Sequence, residues 1–210
     1  QEWNKLNNNS DNVFLNRSIQ STYSPGSIFK LILASIAIQN KIVPTNYKVN
    51  CTGVYDFFDT KFRCWKEDGH GVIDLDESIQ KSCNVYYYHL MQKIDFDLWS
   101  EEVEKFGFGK TTLIDLFNEK KGLVPNRVFM NNHYKNSGGW SKGHLLNLAI
   151  GQGETSVTPI QINGLISIIA NEGYSFSPHI NKNIQPIVNY VNYDSQVWSF
   201  IKKSMYNAVN

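Results

Sequence analysis

The apolar positions fall into a few dense blocks separated by long polar stretches. The densest covers residues 28–38, where only Lys30 and Ser35 interrupt it. A helix apolar on every face is one buried inside a larger fold. This segment is therefore expected to be the central helix of the domain, ended by Asn40 to Pro44. Ahead of it, Ser24-Pro25-Gly26-Ser27 carries the Pro and Gly that punctuate a turn. Asp74 with Glu77 three residues on has the form of a capping box and predicts a short helix over residues 75–81. A second helix, over 84–93, carries Tyr86, Tyr87, Tyr88 and Leu90. Asp97 is expected to cap a third that ends at Phe106-Gly107, where glycine supplies a left-handed residue. Thr158-Pro159 is an N-cap followed by proline in the first turn. It predicts a helix through Gln161, Leu165 and Ile169 to Asn171-Gly173. Val197, Ile201, Met205 and Ala208 fall near one face of a last amphipathic helix. Residues 1–20 are polar apart from Val13-Phe14-Leu15, 45–73 read as irregular, and 108–143 as loop-rich.

Composition narrows the class. A chain of 210 residues with 41% hydrophobic, 13% aromatic and 19% charged residues is too apolar for a disordered tail and holds one sizeable domain or two small ones. A net charge of +1 leaves no electrostatic footprint for nucleic acid. The longest apolar run, Leu31 to Ile38, is far short of the roughly 20 residues of a membrane span. The sequence opens on Gln1 rather than Met, so a processed or clipped fragment is expected, with loss of an anchor left open.

Two short motifs could carry chemistry. Ser27 and Lys30 form a Ser-x-x-Lys whose spacing puts both side chains on one helical face. The serine stands in the first turn, where free N–H groups favour a developing anion. Desolvation lowers a lysine pKa, so Lys30 could serve as its base. The same spacing also describes a serine N-cap and a lysine reaching to solvent. Ser82-Cys83-Asn84 is weak alone, but Ser-x-x-Lys, a Ser-x-Asn triplet and Lys-Thr-Gly together mark penicillin-binding proteins and β-lactamases. Gly109-Lys110-Thr111 does not end a phosphate-binding loop, because Glu104 stands where that pattern requires glycine.

Cys51, Cys64, His70 and Cys83 are separated by 12, 5 and 12 residues. Three cysteines and a histidine are a standard closed set for structural zinc. The alternative is a Cys51–Cys64 disulfide, with Cys83 a buried thiol and His70 a turn residue. His89, His133, His144 and His179 form no comparable cluster.

The stretch from Asn16-Arg17-Ser18 to Ser24-Pro25-Gly26-Ser27-Ile28-Phe29-Lys30 resembles the nucleophile region of class B penicillin-binding proteins, especially the penicillin-binding protein 2 group of cell elongation. Ser82-Cys83-Asn84-Val85-Tyr86-Tyr87-Tyr88, Phe106-Gly107-Phe108-Gly109-Lys110-Thr111 with Ile114-Asp115-Leu116, and Gly151-Gln152-Gly153 with Thr158-Pro159 agree, in the right order. The resemblance runs from about residue 13 to the end of the chain. It implies an α+β transpeptidase fold of which residues 1–210 hold mostly the helical lobe as one partial domain. It also implies a DD-transpeptidase that cross-links peptidoglycan stem peptides and is acylated by β-lactams. Ser27 would be the nucleophile, Lys30 its base and Ser82 a proton relay. Asn84 would hydrogen-bond the substrate amide. In that group a zinc can sit at positions matching Cys51, Cys64, His70 and Cys83.

The group works on the outer side of the cytoplasmic membrane, with membrane-embedded wall-synthesis partners. Its third motif, Lys-Thr/Ser-Gly, occurs nowhere in the sequence, so residues 1–210 alone are expected to be inactive. Two rival readings share the first two motifs: a serine β-lactamase, and a non-catalytic penicillin sensor or scaffold.

Overall fold

A computed structural model describes residues 2–210. Helices α1 (Glu2–Asn7) and α2 (Arg17–Gln20) precede a 3-10 turn, Gly26–Ile28, that runs directly into α3 (Phe29–Gln39). Four short strands follow: β1 (Val49–Cys51), β2 (Val54–Phe57), β3 (Thr60–Arg63) and β4 (Gly71–Ile73). The helical body continues with α4 (Leu75–Gln80), α5 (Asn84–Met91), α6 (Phe96–Lys105), α7 (Arg127–His133), α8 (Lys142–Ala149) and α9 (Pro159–Ala170). A second pair of strands, β5 (Tyr174–Phe176) and β6 (Val188–Tyr190), precedes α10 (Ser195–Asn207).

Helix α3 is the centre, as its apolar run predicts. It packs against α4, α5, α6, α8 and α10, and from Phe29 to Ala37 only Leu31 is not fully buried. Around it, Trp99, Phe106, Phe108, Leu146, Leu165, Trp198 and Ile201 join one continuous core. The strands form three separate antiparallel pairs, β1–β4, β2–β3 and β5–β6. Among the described residues no helix is long and apolar enough to cross a membrane.

The α+β class and most helices agree with the sequence. The Asp74–Glu77 and Thr158–Gln161 capping boxes are both formed, and Gly107 closes α6 with φ +86°. Four expectations need correction. Asp95, not Asp97, caps α6: its Oδ1 accepts from Asp97 N at 2.9 Å and Leu98 N at 3.1 Å. Asp97 lies inside the first turn, free to pair with Arg127 at 3.0 Å.

Residues 45–73 are not irregular but carry β1–β4. Strands of three or four residues are too short to display a period-2 alternation. The 108–143 stretch contains α7, and α8 begins at its end. The box of α8 pairs Ser141 with His144 rather than Glu or Gln, which disguises it. On α10 the buried positions are Val197, Trp198, Ile201 and Ser204. Ser204 replaces an apolar contact with a 2.6 Å hydrogen bond from its Oγ to Asp76 Oδ1.

Candidate active site and thiol cluster

Ser27 sits on the 3-10 turn with its side chain exposed. The loop after α8 fixes that turn. Gly26 N donates to Gly151 O at 2.9 Å, and a Cβ on Gly151 would lie 2.3 Å from Gly26 O. Gly151 also has φ +68°, so it meets two demands that only glycine satisfies at little cost. Tyr23 and Val157 exchange backbone hydrogen bonds of 2.8 and 2.9 Å, fastening the approach to Ser27 from the other side.

Lys30 is 2% exposed. Its Nζ donates to Asn84 Oδ1 at 2.7 Å, Ser82 O at 2.8 Å and Ser82 Oγ at 3.0 Å. An ammonium has three N–H donors, and all three are taken. Desolvation holds its pKa down at about 8, against an opposing pull from the Cys64 and Cys83 thiols. The sequence places this lysine in an apolar surround; the structure gives it a polar clamp built by the second motif. The Ser27 hydroxyl is not among its hydrogen-bond partners.

Ser82 joins α4 to α5. Its N–H bonds Ile79 O at 3.1 Å, and Cys83 N bonds Ser78 O at 3.0 Å. That is the paired pattern of a helix end whose left-handed residue is usually glycine, yet Ser82 holds φ +48°. Asn84, first residue of α5, accepts from Lys30 and donates Nδ2 to Arg63 O at 3.2 Å. Ser27, Ser82, Asn84, Trp65 and Gln152 line one open cavity of about 390 Å³. The structure thus gathers Ser82 and Asn84 around Lys30 and turns Ser27 onto the same cavity.

Sequence reasoning missed Trp65 as a member of this site. Its Nε1 donates to Lys81 O at 3.0 Å and Ser82 O at 3.1 Å, and no local pattern marks it. Outside this cavity, sequence reasoning also missed the structural role of Gln161, which is 2% exposed. Besides its capping role, Gln161 Nε2 reaches Lys110 O at 2.6 Å, Lys121 O at 2.9 Å and Gly107 O at 3.3 Å. Its place in the Thr158 capping box was the available signal.

Beside this site Cys51, Cys64, His70 and Cys83 converge, with one donor atom from each within 4.8 Å of all the others. They come from the end of β1, the loop between β3 and β4, and the N-cap of α5. All three cysteines are free and buried. Cys64 is pushed down to about 4, chiefly by a hydrogen bond from Cys83 and also by backbone N–H groups of Lys66, Asn84 and Val85. The same bond, with burial, pushes Cys83 up. His70 Nδ1 lies 3.6 Å from both Cys51 Sγ and Cys64 Sγ. A tetrahedron with Zn–S near 2.3 Å and Zn–N near 2.0–2.1 Å has an S···N edge of about 3.6 Å. The donor set and its spacing therefore fit zinc.

A helical body that presents a Ser-x-x-Lys turn against a Ser-x-Asn corner defines the class. Residues 2–210 match the penicillin binding protein transpeptidase domain, and the chain belongs to that family. It is similar to the peptidoglycan D,D-transpeptidase MrdA of Acinetobacter baumannii, at 32% identity over 182 residues, covering 86% of this chain and 27% of that protein. MrdA of Escherichia coli strain K12 is 28% identical over 225 residues, covering 100% of this chain and 35% of the relative. The solved PBP2 of Helicobacter pylori matches with a TM-score of 0.91 at 28% identity, covering 100% of this chain and 40% of that one. PBP2 of Pseudomonas aeruginosa in complex with WCK 5153 matches at 0.88 and 30%, covering 97% and 46%. The chain spans about a third of the length of these curated relatives.

Proposed function

We propose that the protein is a peptidoglycan D,D-transpeptidase of the elongation type, acting through a Ser27 acyl-enzyme. The observation that carries this reading is the buried Lys30 Nζ held at 2.7–3.0 Å by Ser82 and Asn84, two residues that line the cavity Ser27 faces.

The geometry accounts for the protons. Ser82 O and Asn84 Oδ1 can only accept, so a neutral Lys30 keeps its two N–H donors on them. Its lone pair is left for a hydroxyl, either that of Ser82, whose Oγ can turn to donate, or that of Ser27. Ser27 Oγ attacks the penultimate D-Ala carbonyl carbon as its proton passes to Lys30. The bond to the terminal D-Ala nitrogen breaks, and Ser82 relays that proton to the leaving amine. An amine from a neighbouring strand then attacks the ester and restores Ser27. The N–H of Ser27, in the first turn, would be one donor to the developing oxyanion. In the family a Lys-Thr/Ser-Gly strand supplies the second donor.

Zinc belongs to the same proposal. Cys51, Cys64, His70 and Cys83 would hold it, leaving no position for water, so its role is structural. H. pylori PBP2 is solved in complex with MreC and a further match belongs to a peptidoglycan synthase complex, which supports wall-synthesis partners here; a site on the outer side of the cytoplasmic membrane belongs to the same proposal. Labelled penicillin on the full-length protein tests the reading. One adduct on Ser27, lost in Ser27→Ala and stable for many minutes, is expected. Label retained in Ser27→Ala would overturn the nucleophile, and rapid release would make the enzyme a β-lactamase.

A further inference from the structure

At the far end of α5 and α8 lies a second cavity of about 280 Å³, lined among others by Lys93, Asp95, Phe96, Arg127, Trp140 and Lys142. It shares no lining residue with the Ser27 cavity. Helix α5 has 8 residues, so at about 1.5 Å per residue its far end stands roughly 12 Å from Asn84.

Arg127 is the centre of this cavity. Its Nε is fixed by both oxygens of Asp97 at 3.0 Å. Its guanidinium carbon lies over the ring of Trp140 at 5.8 Å and that of Phe96 at 5.9 Å. Trp140 is itself held, by a 2.7 Å hydrogen bond from Nε1 to Asn131 Oδ1. Among the described residues neither terminal nitrogen of Arg127 has a hydrogen-bond partner, and with the side chain 46% exposed both face solvent. Nor do the ammonium groups of Lys93, which rests on the Tyr47 ring at 5.2 Å, and Lys142 have one. The one carboxylate in the lining, Asp95, is exposed and accepts from two backbone N–H groups through Oδ1, so with Asp97 on Arg127 the cluster of three cations and two carboxylates keeps a net positive charge. A cavity therefore presents three cations with unused donors, one of them a planar fork whose orientation is fixed by two rings and an ion pair. That is a preorganised receptor for an oxyanion.

We propose that this cavity binds a carboxylate or phosphoryl group, taken bidentately by Arg127 and flanked by Lys142 and Lys93. Both groups match the fork, and the source is decided by measurement. In the purified protein at low salt, inorganic phosphate and acetate are titrated separately while the Trp140 indole N–H is followed by NMR, the signal being assigned with Trp140→Phe. Saturable binding of one or both is expected. Arg127→Gln weakens it by about tenfold or more, and Arg127→Lys removes most of the effect because charge remains without the fork. Lys142→Met, at an exposed position that leaves folding untouched, weakens it severalfold. Preference for phosphate assigns a phosphoryl ligand, and preference for acetate a peptide or sugar carboxylate. No saturable binding of either probe overturns the site. So does an affinity unchanged in both Arg127→Gln and Lys142→Met.

Discussion

At the scale of single residues, Ser82 and Lys30 show function set against stability. Ser82 occupies a helix-end position with φ +48°, where a side chain costs about 1 kcal/mol or more relative to glycine. Its hydroxyl is the only partner of Lys30 able to exchange donor and acceptor roles. Ser82→Gly and Ser82→Ala both remove that hydroxyl, but only the first relieves the backbone. Urea unfolding is expected to find the glycine variant more stable than the alanine variant by about 1 kcal/mol, with penicillin acylation strongly reduced in both. Equal stabilities would mean the corner is not strained. Lys30 is governed by pH. Its folded pKa of about 8 lies below the unfolded value of 10.5, so between these pH values the unfolded chain binds more protons and stability rises with pH. Wild type should gain on Lys30→Met over that window by up to about 1.4 kcal/mol per pH unit, with no trend below pH 7. Acylation should rise with pH through an apparent pKa near 8. A flat rate across pH 7–9 would place the base elsewhere. Ser27, Lys30, Ser82 and Asn84 were legible as candidates because their motifs are local. The clamp they form was not, since Lys30 and Asn84 meet across 54 positions and nothing local records that contact.

At the scale of elements, legibility followed the strength of the local signal. Helices with a strong start signal, the Asp74–Glu77 capping box of α4 and the Thr158-Pro159 N-cap and proline of α9, were read correctly. Helix α8, whose N3 residue is His144 and which contains Gly143, was not. The paired strands β1–β4 and β2–β3 escaped notice because each is set by register with a partner, Cys51 opposite Gly71 and Val54 opposite Arg63, rather than by its own composition. The Gly-Gln-Gly segment was visible as a motif, but its purpose emerges only where Gly151 meets Gly26. Gly151→Ala adds a methyl that would stand 2.3 Å from Gly26 O and 2.7 Å from Phe29 Cβ, at a backbone angle that disfavours it. The turn carrying Ser27 must move. Acylation is expected to fall by about 10²-fold, the effect of roughly an ångström of misplacement, with about 1–3 kcal/mol lost in stability and the helical circular dichroism retained. Acylation within twofold of wild type would show that the loop does not set the nucleophile.

At the scale of the whole molecule, the second motif hangs between two bodies of unequal support. The helices share one core running from α3 to α10. The strands are unevenly supported: Val49 and Cys51 of β1 and Ile73 of β4 join that same core, whereas no residue of β2 or β3 is fully buried. The thiol cluster joins this strand layer to the bundle at Cys83, the residue between Ser82 and Asn84. Metal bound there would stabilise the folded arrangement by mass action and tie the exposed β2–β3 hairpin region to the bundle. Removing it should therefore act locally. The protein as purified is expected to contain one equivalent of zinc, and Cys83→Ser well below that. After removal, hydrogen exchange should accelerate over residues 49–73 and 82–84 while α9 and α10 keep their protection. Acylation of Ser27 should slow as Ser82 and Asn84 lose their aim, and return when zinc is restored. Exchange that accelerates equally in α10 would instead make the metal a support of the whole fold. Zinc well below one equivalent in protein never exposed to chelator, with Cys51 and Cys64 found joined by mass, would remove the metal from the account and leave the disulfide as the staple of the layer.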